Sequence, residues 1–502
     1  MESYLIIHKK DSVAVALRDL KKGQTMAGIE LAEDIPRGHK FALVFIGEGE
    51  EVIKYGAPIG RATRNILPGE RIHTHNLMSL LKKNDYLPYE NSVSARQQNQ
   101  NSVSARQHRQ QNAKKSVFFG YKRDNGSVGT RNMLYIVPTV GCINGAARAL
   151  EAYGRSVLNN RADGVVTLAH PYGCSQTGED FVHTQSILAG LIHNPNCGGA
   201  LVLGLGCENN HIGVFRKVVG ETVPDRVLYL NAQDVEDEIE EGKKAIRFLL
   251  DKLSEDKREP CPLSCLTVGV KCGGSDGFSG ITANPLIGRM TDRLEGYGAK
   301  IIMTEVPEMF GAEHSLLCRA KDPQVYRQTI HMINRFKDYF LSNGVSIDEN
   351  PSPGNREGGI TTLEEKALGC TQKSGQAEVC AVLPYGGRAE ARGLSLLYGP
   401  GNDIVAVSAL AAAGANIILF STGRGTPLGA PVPVIKIASA SSLAVAKKKW
   451  IDFDAGVLLS EHTERYESNL EDLMIAAASG MRTKAEEAGC YDFAIFKTGV
   501  TL

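Results

Sequence analysis

Cysteine and carboxylate recur in this chain at places where glycine also recurs. Val140-Gly141-Cys142, His170-Pro171-Tyr172-Gly173-Cys174, Gly206-Cys207-Glu208 and Cys272-Gly273-Gly274-Ser275-Asp276 each follow a short apolar run, and Glu305 and Glu308 close another. Thiolates and carboxylates beside flexible glycine loops are suited to holding a transition metal. One cysteine after a strand is ordinarily a small buried hydrophobe, but four at equivalent places weaken that reading for the set. No CxxC or HExxH spacing is present, so spacing alone names no metal.

Histidine marks a second group, Gly38-His39-Lys40 and His73-Thr74-His75-Asn76. Alternate residues of a strand share a face, so His73 and His75 form either a metal or acid/base pair or two exposed polar side chains on an edge. The loop Ser421–Pro427 offers backbone N–H groups and Arg424 to a carboxylate or phosphate, or is a simple turn. Asn350–Asn355 is a rigid polar turn. Gly204-Leu205-Gly206 lacks the third glycine of a dinucleotide fingerprint, and no Walker A sequence occurs. These residues describe an α/β enzyme with a polar, metal-capable site for a small anion, and no particular reaction.

The elements that must position them fall into distinct stretches. Over the first ~80 residues, Val13–Leu17, Lys40–Ile46 and Glu51–Tyr55 are short apolar runs between Gly- and Pro-containing turns, which predicts a small all-β domain over 1–84. Residues 85–115 are rich in Gln, Asn and Ser and contain NSVSARQ twice, at 91–97 and 101–107. Such a stretch buries too little to offset its ordering entropy and reads as a flexible tether, with an ordered polar helix as the alternative.

From residue 116 strand-like runs alternate with helical ones, which predicts α/β architecture with mostly parallel sheets. The expected strands run from Leu134–Thr139 through Leu266–Lys271 to Val432–Ile437, and the expected helices include Asn144–Tyr153, Asp234–Leu253, Tyr326–Leu341 and Asp403–Ala413. The charged stretch Asp251–Pro262 divides a middle domain, 116–255, from a C-terminal domain, 256–502.

At 502 residues the chain has length for several domains. Lys+Arg and Asp+Glu are both 56, which removes the electrostatic case for binding nucleic acid or an anionic membrane. The longest apolar region, Ser408 through Phe420, is too short to span a bilayer, and the N-terminus does not read as a signal peptide. A cytoplasmic protein with free or metal-binding thiols is the expectation for its eleven cysteines.

Longer motifs carry a resemblance. RGHKFAL (37–43), VIKYGAPIG (52–60), HTHN (73–76), PTVGCINGAAR (138–148), YGCSQTGED (172–180), GLGCENN (204–210), CGGSDGFSGITANP (272–285), TEVPEMFGAE (304–313), NPSPGN (350–355), GGITTLEEKALGCTQK (358–373), FSTGRGTP (420–427), KKWIDFDAG (448–456) and FKTGVTL (496–502) run almost end to end. The chain resembles the altronate/galactarate dehydratase family; the duplicated tether is where it departs. The resemblance implies a multidomain chain: an N-terminal SAF-type β-clip, a middle domain used in forming a homodimer, and a C-terminal Rossmann-like α/β domain with a parallel sheet.

It implies a hydro-lyase that dehydrates D-altronate to 2-dehydro-3-deoxy-D-gluconate in galacturonate breakdown. The implied cofactor is Fe²⁺, with Mn²⁺, another divalent ion or an iron–sulfur cluster as alternatives. On this resemblance His39 and Lys40 are the first acid/base candidates, with His73 and His75 beside them. Cys142, His170, Cys174, Cys207, Cys272 and Glu305 are the metal-site candidates, and Glu208, Asp276 and Glu308 are oxygen alternatives. Asn355, Arg424, Thr426 and Cys370 are substrate-binding candidates. His73, His75 and Cys370 lie in motifs of the altronate branch, which favours the aldonate over galactarate. A sulfolactate sulfo-lyase-like activity and a sugar-acid binding protein are the remaining alternatives.

Overall fold

The computed structural model describes residues 2–81, 86–87, 116–460 and 464–500. The expected tether lies outside the described residues except at Tyr86 and Leu87.

In the first domain, Val13–Ala16 (β1) and Lys40–Ala42 (β2) pair antiparallel within a four-stranded sheet. Glu51–Lys54 (β3) and Ala57–Ala62 (β4) form a hairpin in a three-stranded sheet. Its two-residue turn, Tyr55-Gly56, has φ of 61° and 74°, the left-handed pair whose twist matches that of the flanking strands.

The middle domain holds Met133–Pro138 (β5), Gly164–Thr167 (β6), Cys197–Gly204 (β7) and Val227–Asn231 (β8), all parallel in the order β6-β5-β7-β8. Every residue of β5 is buried, as expected for a parallel strand covered on both faces. Asn144–Ser156 (α1), Glu179–Ile192 (α2), Ile212–Val219 (α3) and Glu238–Leu253 (α4) lie between or after these strands. α4 starts where Asp237 accepts from the N–H groups of Ile239 and Glu240.

The charged boundary stretch holds a strand at its end. Arg258–Pro262 is a strand paired antiparallel with Val117–Lys122. Alternating Pro260 and Pro262 hid it, since proline is confined to edge strands of this kind.

The C-terminal domain is built on seven strands: Thr267–Gly273 (β9), Lys300–Met303 (β10), Val379–Leu383 (β11), Gly393–Leu397 (β12), Ile417–Thr422 (β13), Val434–Ala438 (β14) and Phe453–Asp454 (β15). They are parallel in the order β11-β12-β10-β9-β13-β14-β15. The chain enters at β9 and places strands on both sides of it. The crevice outside the carboxyl end of β9 is therefore where such a sheet binds ligands. Helices Ala283–Gly296 (α5), Pro323–Ser342 (α6), Leu363–Thr371 (α7) and Asp403–Ala412 (α8) pack around it.

One hydrophobic core joins the middle and C-terminal domains, with Val137, Leu188, Leu410 and Ile418 in the same cluster. Where α2 crosses α8, a Cβ on Gly190 would stand 2.6 Å from the Ala412 carbonyl, so glycine sets that approach.

Candidate active site at the end of the central strand

Near its carboxyl end β9 carries Lys271-Cys272, both fully buried. The Cys272 thiol lies 2.9 Å from Glu308 Oε2, 3.3 Å from the Cys370 thiol and 2.6 Å from Lys373 Nζ. Lys366 Nζ is 3.0 Å from Glu308 Oε1. Lys271 donates to Glu305 and, at 2.7 Å, to Asp403 Oδ1. Three ammonium groups thus face three carboxylates around two thiols.

The backbone is shaped for this. Glu305 sits at φ 73°, a left-handed conformation that glutamate avoids elsewhere, and it turns the chain after β10 into a short 3-10 turn carrying Glu308. α7 supplies the opposite wall. Lys366, Cys370 and Lys373 are spaced i, i+4, i+7 and share the face toward β9.

Charge balance follows from the packing. Burial opposes ionisation of Glu308, but Lys366, Lys373 and Lys271 together outweigh it and hold the carboxyl well below its usual range. Glu305 is held above its usual value by burial and by the neighbouring Glu308 charge. The Cys370 contact, then burial, pushes the Cys272 thiol up.

The sulfurs of Cys272 and Cys370 and a Glu308 oxygen all lie within 4.8 Å of one another. Two sulfurs and one oxygen fit a borderline divalent ion such as Fe²⁺, with Glu305 Oε2 3.8 Å from Cys272 Sγ as a nearby fourth donor. Both thiols must lose their protons to serve as ligands. Glu308 and Lys366 open on a cavity of about 300 Å³ lined also by Asn350, Tyr339, Asn402 and Phe496. A larger cavity of about 460 Å³ lies elsewhere, among Arg123, Arg226 and Asp256, which are occupied with one another's charges.

The first domain docks on the adjacent face of α7. Glu365 receives Lys40 Nζ at 2.8 Å and Lys54 Nζ at 2.7 Å, and all three side chains are 1% exposed. A Cβ on Gly359 would stand 2.3 Å from the Gly38 carbonyl, so the two backbones touch there. Lys40 also donates to Thr361 Oγ1 at 2.5 Å and to the Gly359 carbonyl at 3.3 Å. Its three hydrogens are thereby directed at protein acceptors, which makes it a docking group and not the acid/base expected of it.

His39 differs. Its Nε2 lies 3.2 Å from the Glu357 carbonyl, which assigns the proton to Nε2. Nδ1 is buried and has no hydrogen-bond partner. Burial pushes its pKa down to about 4, so the ring is neutral at pH 7. His73 stands beside it, ring centres 5.2 Å apart, with Nε2 3.0 Å from the Arg356 carbonyl. His75 is exposed and outside this pair.

The remaining candidates separate. Among the metal-site candidates, Cys142, Cys174 and Cys207 are exposed on the middle domain, whereas Cys272 is buried in the C-terminal domain. Strand ends alike in sequence belong here to two different sheets. His170 is no ligand: Nε2 lies 2.9 Å from the Pro138 carbonyl and Nδ1 accepts from the Tyr172 N–H. Glu208 accepts from Thr139 and from the Leu205 and Gly206 N–H groups. Asp276 accepts from Ser279 and Ser439. Asn355 is tied to Ser352 and Ser275, so it braces the turn. Thr426 Oγ1 accepts from the Leu428 N–H. Arg424 is exposed and pairs with Glu357 at 3.1 Å, beside the carbonyl that holds His39.

His170 gives one testable consequence. Burial lowers its pKa to about 4, against about 6.5 unfolded, so the unfolded chain binds the proton more readily in that window. Stability should fall as pH drops from 6.5 towards 4, with His170 contributing up to about 3 kcal/mol at the lower end. Urea unfolding at pH 7 and pH 5 reads this, and His170→Gln should flatten the difference.

Family models cover the same three units. Residues 2–80 match the altronate/galactarate dehydratase SAF domain, 120–254 the second domain of D-galactarate dehydratase/altronate hydrolase, and 263–501 the D-galactarate/altronate dehydratase C-terminal domain. The altronate dehydratase of Bacillus subtilis (strain 168) is 46% identical over 519 residues, covering 100% of both chains. The chain belongs to the altronate/galactarate dehydratase family. The altronate dehydratase of Escherichia coli (strain K12) is 47% identical over 508 residues, 99% of this chain and 100% of that one. The L-threo-forming galactarate dehydratase of the same organism is 34% identical over 512 residues, 95% of this chain and 93% of that one.

In this family member the matched first and last segments meet at α7. Glu365, Lys366, Lys373 and Lys271 are the site residues that sequence reasoning did not single out. Lysine and glutamate on a helix ordinarily read as a solvated face. For Lys366 and Lys373 the available signal was their spacing from Cys370, which puts all three on one helix face. Among the described residues, no helix is long and apolar enough to cross a membrane.

Proposed function

We propose that the chain is an altronate dehydratase, a hydro-lyase that converts D-altronate to 2-dehydro-3-deoxy-D-gluconate. The observation that carries this reading is the whole-length identity of 46% and 47% to two altronate dehydratases, against 34% to the galactarate enzyme. The buried thiol–carboxylate–lysine group and the neutral His39 supply chemistry that such a dehydration needs.

The C2 proton of an aldonate lies beside a carboxylate and is weakly acidic. His39 Nδ1, an acceptor with nothing to accept from, is assigned that proton. The Glu357 carbonyl fixes the tautomer and His73 packs against the ring. Lys366, at the cavity edge, is assigned the proton for the departing C3 hydroxyl. Cys272, Glu308 and Cys370 would hold Fe²⁺, which when bound acts as a Lewis acid toward the substrate carboxylate. Lys271 and Lys373 balance the carboxylates around that group. The enol then tautomerises, taking a proton at C3. The reading places the enzyme in galacturonate breakdown in the cytoplasm, as a homodimer formed through the middle domain.

Turnover of D-altronate in D₂O tests the route. The 2-keto acid should carry one deuteron at C3; product without it would contradict an enol intermediate. His39→Gln should lower kcat by about 10²–10⁴-fold with little change in unfolding midpoint. Because His39 is already neutral above about pH 4, the acid limb of kcat/KM should lie below pH 5 and not near 6.5.

A further inference from the structure

We infer that Asp180 of the middle domain is a positioning residue for the reaction: it clasps the segment 494–499 and so seats Phe496 as one wall of the cavity at Glu308 and Lys366. This rests on the altronate reading for what fills that cavity; the clasp itself stands on contacts alone. Two of the motifs that carry the resemblance, 172–180 and 496–502, meet at this point.

Asp180 is the second residue of α2 and is 1% exposed. Its Oδ1 accepts from the Thr498 N–H at 2.7 Å and from the Thr498 hydroxyl at 2.8 Å, and its Oδ2 accepts from the Gly499 N–H at 2.7 Å. Burial opposes ionisation, but the bonds from Thr498 and Gly499 outweigh it and hold the carboxyl below its usual range. A carboxylate accepts three such bonds without offering a donor, and the start of a helix favours its charge. A Cβ on Gly499 would stand 3.1 Å from Oδ2, so glycine gives the backbone room to reach it.

The clasp continues a run of side-chain anchors. The Ala494 N–H donates to Ser408 Oγ on α8 at 3.0 Å, and the Phe496 N–H to Tyr385 Oη at 2.8 Å. Residues 494, 496 and 498 thus each give their N–H to a side chain, and of the three anchors Asp180 is the one from another domain. Between these anchors the Phe496 ring packs on α6, with ring centres 6.2 Å from Phe336 and 5.4 Å from Tyr339. All three rings line the cavity that Glu308 and Lys366 open on. Phe336 and Tyr339 are fixed by their helix, whereas Phe496 lies in neither helix nor strand, so its place depends on the anchors to either side.

An apolar ring at this wall covers the carbon skeleton of a sugar acid. It meets the ground state and the transition state alike, so its loss raises KM and leaves kcat. Asp180 acts on the substrate only through Phe496.

Turnover of D-altronate by the full chain loaded with Fe²⁺ tests this. Asp180→Asn sets an amide N–H against the donors of Thr498 and Gly499, and should raise KM about tenfold with kcat within about threefold. Thr498→Val, which loses one bond, should shift KM the same way by less, and Thr498→Ser, which keeps the hydroxyl, should recover it. Phe496→Ala should raise KM as much as Asp180→Asn, and the double variant should exceed Phe496→Ala by less than about twofold. Glu179→Gln, which removes a surface pair with Arg335, should move neither constant. Amide exchange of the peptide holding Thr498 and Gly499, read by mass spectrometry, needs no substrate and no variant: protection of about 10²-fold is expected in the unaltered chain. An unchanged KM in Asp180→Asn, effects that add in the double variant, or unprotected amides in the unaltered chain would overturn the proposal. Absence of turnover by the unaltered chain would instead overturn the altronate reading, and the exchange measurement would still decide the clasp.

Discussion

Glu365→Ala should destabilise the protein by about 3–5 kcal/mol and loosen the first domain from the body. Two buried ammonium groups, Lys40 and Lys54, converge on that one carboxylate, and none of the three is more than 1% exposed. Removing it leaves two cations in a dry seam, where burial already pulls the Lys40 pKa down to about 8. The lysines must then lose protons or move into water, and moving them opens the seam. His39 and His73 would leave the Glu357 and Arg356 carbonyls, so turnover should fall with stability. Urea unfolding measures the first effect and small-angle scattering the second. Glu365→Gln, which keeps the shape and removes the charge, should lie close to alanine. A variant of unchanged stability and dimensions would mean that the seam does not depend on this charge.

The second large effect is at Cys272. Its thiol is in contact with Glu308, Cys370 and Lys373 together. Cys272→Ala should leave the fold intact, since little volume is lost, and lower kcat/KM by at least about 10²-fold, beyond the loss usual for partners one layer out from a metal. Cobalt substitution gives an independent reading. The thiolate-to-cobalt absorption of the unaltered enzyme should weaken in Cys272→Ala and Cys370→Ala. Rates within a few-fold of the unaltered enzyme would move the chemistry away from this group.

The framework was legible because parallel strands buried on both faces are written as apolar runs. The strand expected at Leu134–Thr139 is found at Met133–Pro138, and the helix expected at Asp403–Ala413 is found at Asp403–Ala412. Strand-end cysteines were also visible. Their division between two sheets was not, because it depends on which strands pair, and local sequence does not carry that. The buried lysines were hidden for a different reason. Lys271 sits inside a strand that is otherwise apolar, and Lys366 and Lys373 on or beside a helix; only the packing of α7 between two domains shows that all three lie out of water. Lys40 was visible in its motif, but its role was not, since its acceptors lie some 320 residues away at Gly359, Thr361 and Glu365.

The most direct test of the account is turnover of the purified, iron-loaded protein on D-altronate and, in parallel, on galactarate, with 2-keto acid as the readout. The account predicts iron-dependent product from D-altronate and little from galactarate. Preferential turnover of galactarate, or no product from D-altronate with metal loaded, would contradict it.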